Sequence, residues 1–333
     1  MAQDLTLVTG ATGFVGSAVA RALVGRGHAV RVMVRKTSDR RNLTGLIASE
    51  VEGDLADPAS LKRAVHGCRY LFHVAADYRI WVPDPKPMLR ANVEGTRQLM
   101  LAALDAGVER IVYCSSVAAL GMTKDGTPAD EMQPVTEASV VGIYKKSKYR
   151  AEQAVLSLVR ERGLPSVIVN PAAPVGPRDV KPTPTGRMVA DAAAGRLPAY
   201  VDTGLNVVHV DDVALGHVLA LERGRIGEKY ILGSENLMLA DLFALVAEEA
   251  GRKPPRVKLN RKMLYPLALG FEAAARLAKI DPLVTRDHLR MARKRMFFTS
   301  AKAEAELGFR PRPARMAIRD AIAWFRAAGM VPA

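Results

Sequence analysis

The sequence predicts an α/β fold, in which a doubly wound parallel sheet is joined to a smaller C-terminal substrate domain. Short apolar segments that suit buried strands alternate with amphipathic segments that suit helices, and this alternation continues to about residue 170. From Pro171 onward the pattern loosens into loops and shorter elements. We therefore expect a first domain at residues 1–170, to which some later segments return, and a second, mainly substrate-binding domain at residues 171–333.

A glycine-rich turn follows the first strand. The segment LTLVTGATGFVG begins at Leu5, and a helix is predicted from Phe14 to Val24. Glycines permit a sharp turn and a close approach of bare backbone, and the free N–H groups of a helix start attract phosphate. The spacing G-x-x-G-x-x-G is one residue longer than the common dinucleotide fingerprint, so an ordinary strand-turn-helix is the alternative. We predict a Rossmann-type dinucleotide site that uses Gly10, Thr12, Gly13, Phe14, Val15 and Gly16.

The second strand, predicted at residues 29–35, ends in basic residues. Arg35 and Lys36 stand where an NAD site carries an acidic residue for the ribose 2′-hydroxyl, and Arg40 and Arg41 follow. A guanidinium binds a 2′-phosphate through charge-assisted, bidentate hydrogen bonds, whereas a carboxylate repels it. We therefore predict NADP(H) as the preferred cofactor and NAD(H) as the alternative. A solvent-facing strand end would also explain Arg35.

The next two strands end in residues suited to the rest of the cofactor. The segment VEGDL predicts a third strand that ends at Asp54 and Leu55, where Asp54 can accept a hydrogen bond from the adenine amino group. A fourth strand is predicted at residues 69–74. It is followed by Ala75 and Ala76, which are small enough to let the backbone approach the cofactor ribose.

A loop with three prolines, DYRIWVPDPKP, follows the fourth strand and contains Tyr78, Ile80 and Trp81. It is more apolar than a solvated loop should be. We predict that it forms a wall of the substrate pocket, against the alternative that it packs on a neighbouring helix. Met122 and Thr183, in other loops, are assigned to the same pocket.

The fifth strand ends at Ser116, and a helix predicted from about residue 143 to 161 places Tyr144 and Lys148 on one face. A phenol has an ordinary pKa of about 10, which a nearby cation lowers. We predict that Tyr144 exchanges a proton with the substrate, that Lys148 is its charge partner, and that Ser116 binds the substrate oxygen while a nicotinamide carries the hydride. A surface pair on an amphipathic helix is the alternative for Tyr144 and Lys148.

With these motifs in view, the chain resembles the extended short-chain dehydrogenases/reductases, the NAD-dependent epimerase/dehydratase superfamily, over essentially its whole length. The matching segments are TGATGFVG, GDL, HVAA, NVEGT, SSV, YKKSK and, near the C-terminus, SAKAEAELGFRP and AIAWF. The resemblance implies that Pro171 lies near the nicotinamide. It also implies a homodimer formed by paired helices, one of which carries Tyr144.

Within that group, VRVMVRKTSDRRNLTGL and EGDLADPASL look most like hopanoid-associated sugar epimerases, which are neighbours of dihydroflavonol 4-reductases. Nucleotide-sugar epimerases often carry V-Y-G after the serine, where this chain has AALG, and many hold NAD. The leading hypothesis is therefore an NADP(H)-dependent oxidoreductase acting on a carbonyl or alcohol carbon of a small apolar or lipid-linked substrate. Sugar epimerisation by transient oxidation is the alternative, and a non-catalytic NADP-sensing protein is an alternative of another class.

Charge and cysteine content bear on partners and location. Of the formal net charge of +14, residues 251–333 carry +13. Such a basic region suits an anionic membrane surface, an anionic substrate or nucleic acid, and a solvated basic face explains it equally well. Nucleic acid is disfavoured because no binding motif accompanies the charge.

Cys68 and Cys114 are the only cysteines, and no signal peptide or spanning segment is visible. We expect a cytoplasmic protein, peripheral to a membrane if the basic region binds one, with no metal site.

Overall fold

The computed structural model describes residues 4–79, 81–278 and 285–332. Its strands are β1 (Leu5–Thr9), β2 (Ala29–Val34), β3 (Ser49–Glu52), β4 (Tyr70–His73), β5 (Arg110–Cys114), β6 (Ser166–Pro171), β7 (Ala173–Val175), β8 (Ala199–Val201), β9 (Gly204–His209), β10 (Lys229–Leu232), β11 (Glu235–Met238) and β12 (Val257–Leu259). Its α-helices are α1 (Phe14–Gly25), α2 (Pro58–Val65), α3 (Lys86–Leu89), α4 (Thr96–Asp105), α5 (Ile143–Arg162), α6 (Pro184–Ala193), α7 (Val210–Arg223), α8 (Leu239–Ala250), α9 (Tyr265–Ala278), α10 (Arg286–Met291), α11 (Ala301–Leu307) and α12 (Ala314–Ala327).

Seven parallel strands form the central sheet, in the order β3-β2-β1-β4-β5-β6-β10. The strand order reverses between β1 and β4, and ligands of doubly wound sheets bind at the carboxyl ends of the strands beside such a reversal. The predicted fold class, a Rossmann-type doubly wound parallel sheet, is confirmed.

Helices cover both faces of this sheet, which explains why its inner strands are mostly buried. On one face, α1 and α7 bury Val19, Val213 and Val218 against the sheet. On the other face, α2, α4 and α5 bury Leu61 and Leu99 among other side chains that water does not reach. Each such side chain contributes roughly 1.5–3 kcal/mol relative to an exposed position. The paired layers hold the strand ends rigidly.

Segments beyond residue 171 complete the central sheet and its core. β10 pairs with β6, α7 packs against α1, and Phe309 beyond α11 is buried in the same cluster. The remaining segments build a second layer, in which β7 and β11 flank β9 and α6, α8 and α12 enclose a separate apolar core. The division into domains at residue 170 stays a prediction.

Two predicted elements differ from those observed. The third strand ends at Glu52 rather than at Leu55, because Gly53 makes the last bond to β2 and the chain then turns, with the Asp57 N–H donating to the Asp54 carbonyl at 2.9 Å. The sequence also predicts one long helix from Leu89 to Ala106. In the structure this stretch contains a π-helical turn at Arg90–Gly95, which joins α3 to α4. π-Helical turns are rare in proteins overall, and those that occur are often located at functional sites.

The basic region is described in part, because residues 279–284 lie outside the described ranges. Within it, Met263, Leu267 and Leu269 expose half or more of their surface. Among the described helices, none combines the length and the hydropathy that a membrane span requires. Peripheral membrane association and the homodimer stay predictions.

Candidate active site

A cavity of about 1290 Å³ runs along the carboxyl edge of the central sheet, lined by residues that directly follow β1 to β6. Most of the site residues predicted from the sequence lie on its wall. They are Gly10, Thr12, Gly13, Phe14, Val15, Gly16, Arg35, Asp54, Leu55, Ala75, Ala76, Tyr78, Ser116, Tyr144, Lys148, Pro171 and Thr183. The fold thus gathers residues as far apart in the sequence as Gly10 and Thr183 around one cavity.

Two positions of the glycine-rich turn, at one end of the cavity, have no room for a side chain. Gly10 has a φ of +74°, and a Cβ on it would lie 2.7 Å from the backbone nitrogen of Ala75. A Cβ on Gly16 would overlap the carbonyl oxygen of Gly10. The helix that starts at Phe14 has no acidic residue in its first turn, so no carboxylate of that turn opposes its positive end. Bare backbone beside an unneutralised helix start fits the pyrophosphate of a dinucleotide.

The end of β2 presents an unpaired guanidinium to the cavity. Arg35 is exposed and lines the wall, and among the described residues no carboxylate pairs with it. Two neighbouring arginines are engaged in ion pairs, Arg40 with Glu50 at 3.0 Å and Arg41 with Asp39 at 2.7 Å. Among the described residues, Arg35 is therefore the one of these three arginines without an ion pair.

The chain after β3 forms the adjacent wall. The carboxylate of Asp54 accepts a hydrogen bond of 2.9 Å from the Ala56 N–H, which fixes the turn. The backbone of Leu55 lies so close to Gly95 that a Cβ on that glycine would be 2.7 Å from the Leu55 carbonyl oxygen. Gly95 ends the π-helical turn, so the turn and the wall are in direct contact.

A buried hydrogen-bond network ties β1 to β4 beneath the glycine turn. The Thr9 hydroxyl accepts from the N–H groups of Val74 and Ala75, both at 3.2 Å, and lies 2.8 Å from Nδ1 of His73. The other ring nitrogen lies 2.9 Å from the Thr96 hydroxyl. Burial, reinforced by the nearby Lys148 charge, lowers the pKa of His73 to about 3, so the ring is neutral. The network holds Ala75 against the glycine turn.

The π-helical turn supplies a residue that the sequence analysis missed. The Asn92 amide nitrogen donates to the Asp77 carbonyl at 2.8 Å and to the Ser147 hydroxyl at 3.0 Å, and its oxygen accepts from the Asp77 N–H at 2.7 Å. Asn92 therefore links the loop that follows β4 to the helix that carries Tyr144. The NVEGT segment was the available signal, but it carried no information on these contacts.

Ser116 and Tyr144 meet inside the cavity. Ser116 follows β5 in extended backbone and caps a short 3₁₀ turn, where its Oγ accepts from the Ala118 N–H at 3.1 Å. The same hydroxyl lies near the phenol of Tyr144, in the first turn of α5, close enough to lower the pKa of that phenol. Two hydroxyl groups thus line the cavity close together at the carboxyl end of the sheet.

Lys148 is buried one helical turn after Tyr144 and faces the same strand. Its ammonium donates to the Cys114 carbonyl at 2.8 Å and lies 5.2 Å from the centre of the Tyr113 ring. Burial raises the pKa of Tyr144 to about 12, and the nearby Ser116 hydroxyl acts in the opposite direction. The net pKa is therefore raised, whereas the sequence predicted a lowered one, because desolvation of the phenolate dominates and the ammonium of Lys148 is directed at a carbonyl oxygen.

Glu152 is hydrogen-bonded to side chains at the carboxyl ends of β5 and β6. Its Oε2 accepts from the Ser115 hydroxyl at 2.6 Å and from the Asn170 amide at 2.7 Å. The same amide donates to the Ser116 carbonyl at 3.0 Å. Burial raises the pKa of Glu152, and Lys229 and the two donors partly offset that effect. Glu152 comes four residues after Lys148, a helical spacing that could have identified it.

The far end of the cavity is mostly apolar. Thr183 caps α6, donating to Oδ2 of Asp179 at 2.8 Å and accepting from the Gly186 N–H at 3.1 Å. Burial raises the pKa of Asp179 to about 6. Tyr78 lies on the opposite loop and is partly exposed. Aliphatic side chains complete this end: Met188, Val201, Leu205, Leu239, Leu264, Leu289, Met291 and Met296.

Two predicted substrate residues lie elsewhere. Met122 packs against the apolar core of the central sheet, so its assignment to the pocket is corrected. Trp81 is partly buried but does not line the cavity, so its assignment is corrected as well. Both were chosen for their apolar character, which suits a core as well as a pocket. Ile80 lies outside the described residues.

Comparison with known protein families agrees with this architecture. Residues 6–233 match the NAD dependent epimerase/dehydratase family. That segment contains every predicted catalytic and cofactor-binding residue named above.

Two relatives are similar over nearly the whole chain. A protein of Synechocystis sp. that carries the provisional name dihydroflavonol 4-reductase is 41% identical over 98% of this chain and 96% of its own length. Sterol demethylase protein B of Methylococcus capsulatus is 35% identical over 98% of this chain and 99% of its own length.

Solved structures share the fold. The structure of gox2253 is 65% identical, has a TM-score of 0.90 and covers 99% of this chain and 100% of its own. A nucleoside-diphosphate-sugar epimerase from Pseudomonas aeruginosa is 30% identical, with a TM-score of 0.81 and coverage of 99% and 100%. On these findings the chain belongs to the NAD-dependent epimerase/dehydratase family, and thus to the extended short-chain dehydrogenases/reductases.

Proposed function

We propose that the protein is an NADP(H)-dependent oxidoreductase that reduces a carbonyl carbon of a small apolar or lipid-linked substrate, in the manner of a dihydroflavonol 4-reductase. The observation that carries the proposal is that Ser116, Tyr144 and Lys148 line one cavity that also contains the glycine turn. A bound nicotinamide cofactor supplies the hydride for this chemistry.

The two hydroxyl groups suit the reductive direction. A phenol whose pKa is about 12 keeps its proton at neutral pH, so Tyr144 can donate it to the oxygen of the carbonyl being reduced. Ser116 donates a second hydrogen bond to that oxygen while negative charge develops on it. Lys148 adds a buried positive charge nearby, which favours the phenolate that remains.

The preference for NADP(H) rests on Arg35. It would hold the 2′-phosphate, while the glycine turn and the start of α1 would hold the pyrophosphate and Asp54 the adenine. An apolar substrate is supported by the aliphatic far end of the cavity and by the names of the two relatives, which refer to a dihydroflavonol and a sterol.

The test is NADPH oxidation with flavanone-type ketones, sterol ketones and nucleotide sugars. We expect turnover with an apolar ketone and a loss of roughly 10²- to 10⁴-fold in kcat for Tyr144→Phe, with unchanged NADPH binding. Tyr149→Phe is the matched control, because Tyr149 lies on the same helix but does not line the cavity. Unchanged turnover in Tyr144→Phe would refute the catalytic assignment. NADPH binding without turnover of any compound would favour a sensing role.

Sugar epimerisation is the second candidate, favoured by the similarity to the Pseudomonas epimerase. The same cavity residues would then take up and return the proton of the sugar hydroxyl, while an oxidised nicotinamide would accept the hydride and return it to the other face of the same carbon, with no net consumption of cofactor. The assay separates the two, because a reductase consumes NADPH in proportion to product, whereas an epimerase supplied with oxidised cofactor converts the sugar at constant absorbance.

A further inference from the structure

Lys145 follows Tyr144 on α5 and lines the same cavity, yet the proposed reaction gives it no task. Its side chain is half-buried, and its ammonium lies 3.2 Å from the sulfur of Met296. A thioether is a weak acceptor. Among the described residues no carboxylate pairs with Lys145. Its situation contrasts with that of Lys148, whose ammonium has a carbonyl oxygen at 2.8 Å.

An ammonium in this setting is unfavourable in the free protein. Removing it from water without a strong acceptor carries a desolvation penalty. Burial, with a smaller contribution from the positive charge of Lys294, lowers the pKa of Lys145 to about 8. A second cation beside it increases the attraction for a negative group. The ammonium of Lys145 therefore has no strong acceptor in the free protein, and a bound ligand can supply one.

The neighbouring wall limits what such a ligand can be. The side chains of Leu205, Leu264, Leu289 and Met291 line the same cavity and offer no hydrogen-bonding group. A highly hydroxylated molecule would leave polar groups unpaired against this wall. An apolar molecule with one anionic end satisfies both the wall and the ammonium.

Building on the proposed reductase function, we propose that Lys145 binds a carboxylate, or an equivalent anionic oxygen, of an otherwise apolar carbonyl substrate. Lys145 thereby selects acidic substrates over neutral ones of the same shape. It is a specificity-determining residue and takes no part in proton transfer.

The test uses matched pairs of aldehydes that differ only in charge. The probes are 4-formylbenzoate, 4′-formylbiphenyl-4-carboxylate and the methyl ester of each, reduced with NADPH at constant pH. For at least one pair, we expect wild-type kcat/KM to favour the acid, and Lys145→Met to lower this preference by roughly 10- to 100-fold through KM, with kcat nearly unchanged. Lys145→Arg should retain the preference. Lys146→Met is the control, since Lys146 is adjacent but does not line the cavity.

Calorimetric binding of the same four probes to wild type and Lys145→Met separates this inference from the proposed function. If no probe is reduced but wild type binds an acid more tightly than its ester, and Lys145→Met does not, the reductase assignment fails and the anion site stands. If wild type binds neither acid more tightly than its methyl ester, the inference is overturned. The same holds if wild type binds no probe measurably. It is also overturned if Lys146→Met loses the preference equally.

Discussion

The ammonium of Lys148 donates a hydrogen bond of 2.8 Å to the carbonyl oxygen of Cys114, the last residue of β5. This contact fixes a buried positive charge between the end of the strand and the helix that carries Tyr144. It also connects the charge to the backbone two residues before Ser116.

Replacement of Lys148 by methionine tests the importance of that charge. We expect kcat to fall roughly 10²- to 10³-fold, because the charge that favours the phenolate of Tyr144 during turnover is lost. The fold should persist, since the change removes a buried cation and keeps an apolar side chain of similar length. Steady-state kinetics and a melting curve check both points. A kcat equal to that of wild type would exclude Lys148 from the catalytic group.

Replacement of Arg35 by serine tests the choice of cofactor. The change removes the unpaired guanidinium on the cavity wall, so we expect NADPH to bind roughly 10- to 100-fold more weakly and NADH to bind as before. Titration of cofactor fluorescence measures both constants. Lys36→Ser is the control, because Lys36 does not line the cavity. Equal weakening of both cofactors would contradict a role specific to the 2′-phosphate.

The close packing of the glycine turn can be tested by alanine substitutions at two glycines of α1, Gly16 and Gly25. Gly16→Ala places a methyl group onto the Gly10 carbonyl, so we expect a loss of roughly 2–4 kcal/mol in the free energy of unfolding, together with loss of nucleotide binding. Gly25→Ala meets no atom within 4 Å and should be neutral or stabilising by up to about 1 kcal/mol. Urea unfolding of both variants provides the measurement. Similar stability in the two variants would contradict the packing.

The burial of Asp179 predicts how the stability of the folded protein changes with pH. Burial raises its pKa from 3.8 to about 6, so between these values the folded chain holds a proton that the unfolded chain has released. Stability is therefore lost as pH rises from about 4 to above 6, by about 3 kcal/mol.

Asp179→Asn removes this titration. We expect the stability of wild type relative to Asp179→Asn to decrease by that amount from about pH 4 to about pH 7, as measured by urea unfolding at intermediate values. A difference between the two proteins that does not change with pH would show that the carboxyl group titrates at its ordinary value.

The features that the sequence predicted are those with a local signature. The glycine turn and the pair Tyr144 and Lys148 depend on spacings within a few residues, which backbone geometry converts directly into a shared face or a tight turn. Ser116 was placed by its position after a strand, and parallel strands bring such ends to one edge.

The features that it did not predict depend on contacts between distant segments. Asn92 acts through Asp77 and Ser147, and the fold alone brings them together. Met122 was assigned from its apolar character, and the same character placed it in the core. The pKa of Tyr144 moved opposite to expectation because the surrounding protein excludes water, which no spacing of residues reports.

The outermost strand on one side of the central sheet, β10, follows β6 only after a long excursion through the second layer, and α7 covers α1 from the same late stretch. During synthesis the ribosome must therefore release the chain as far as Leu232 before this sheet can close. Until then, one face of α1 and one edge of β6 stay open to water. A nascent chain that stalls before that point would be a target for chaperones.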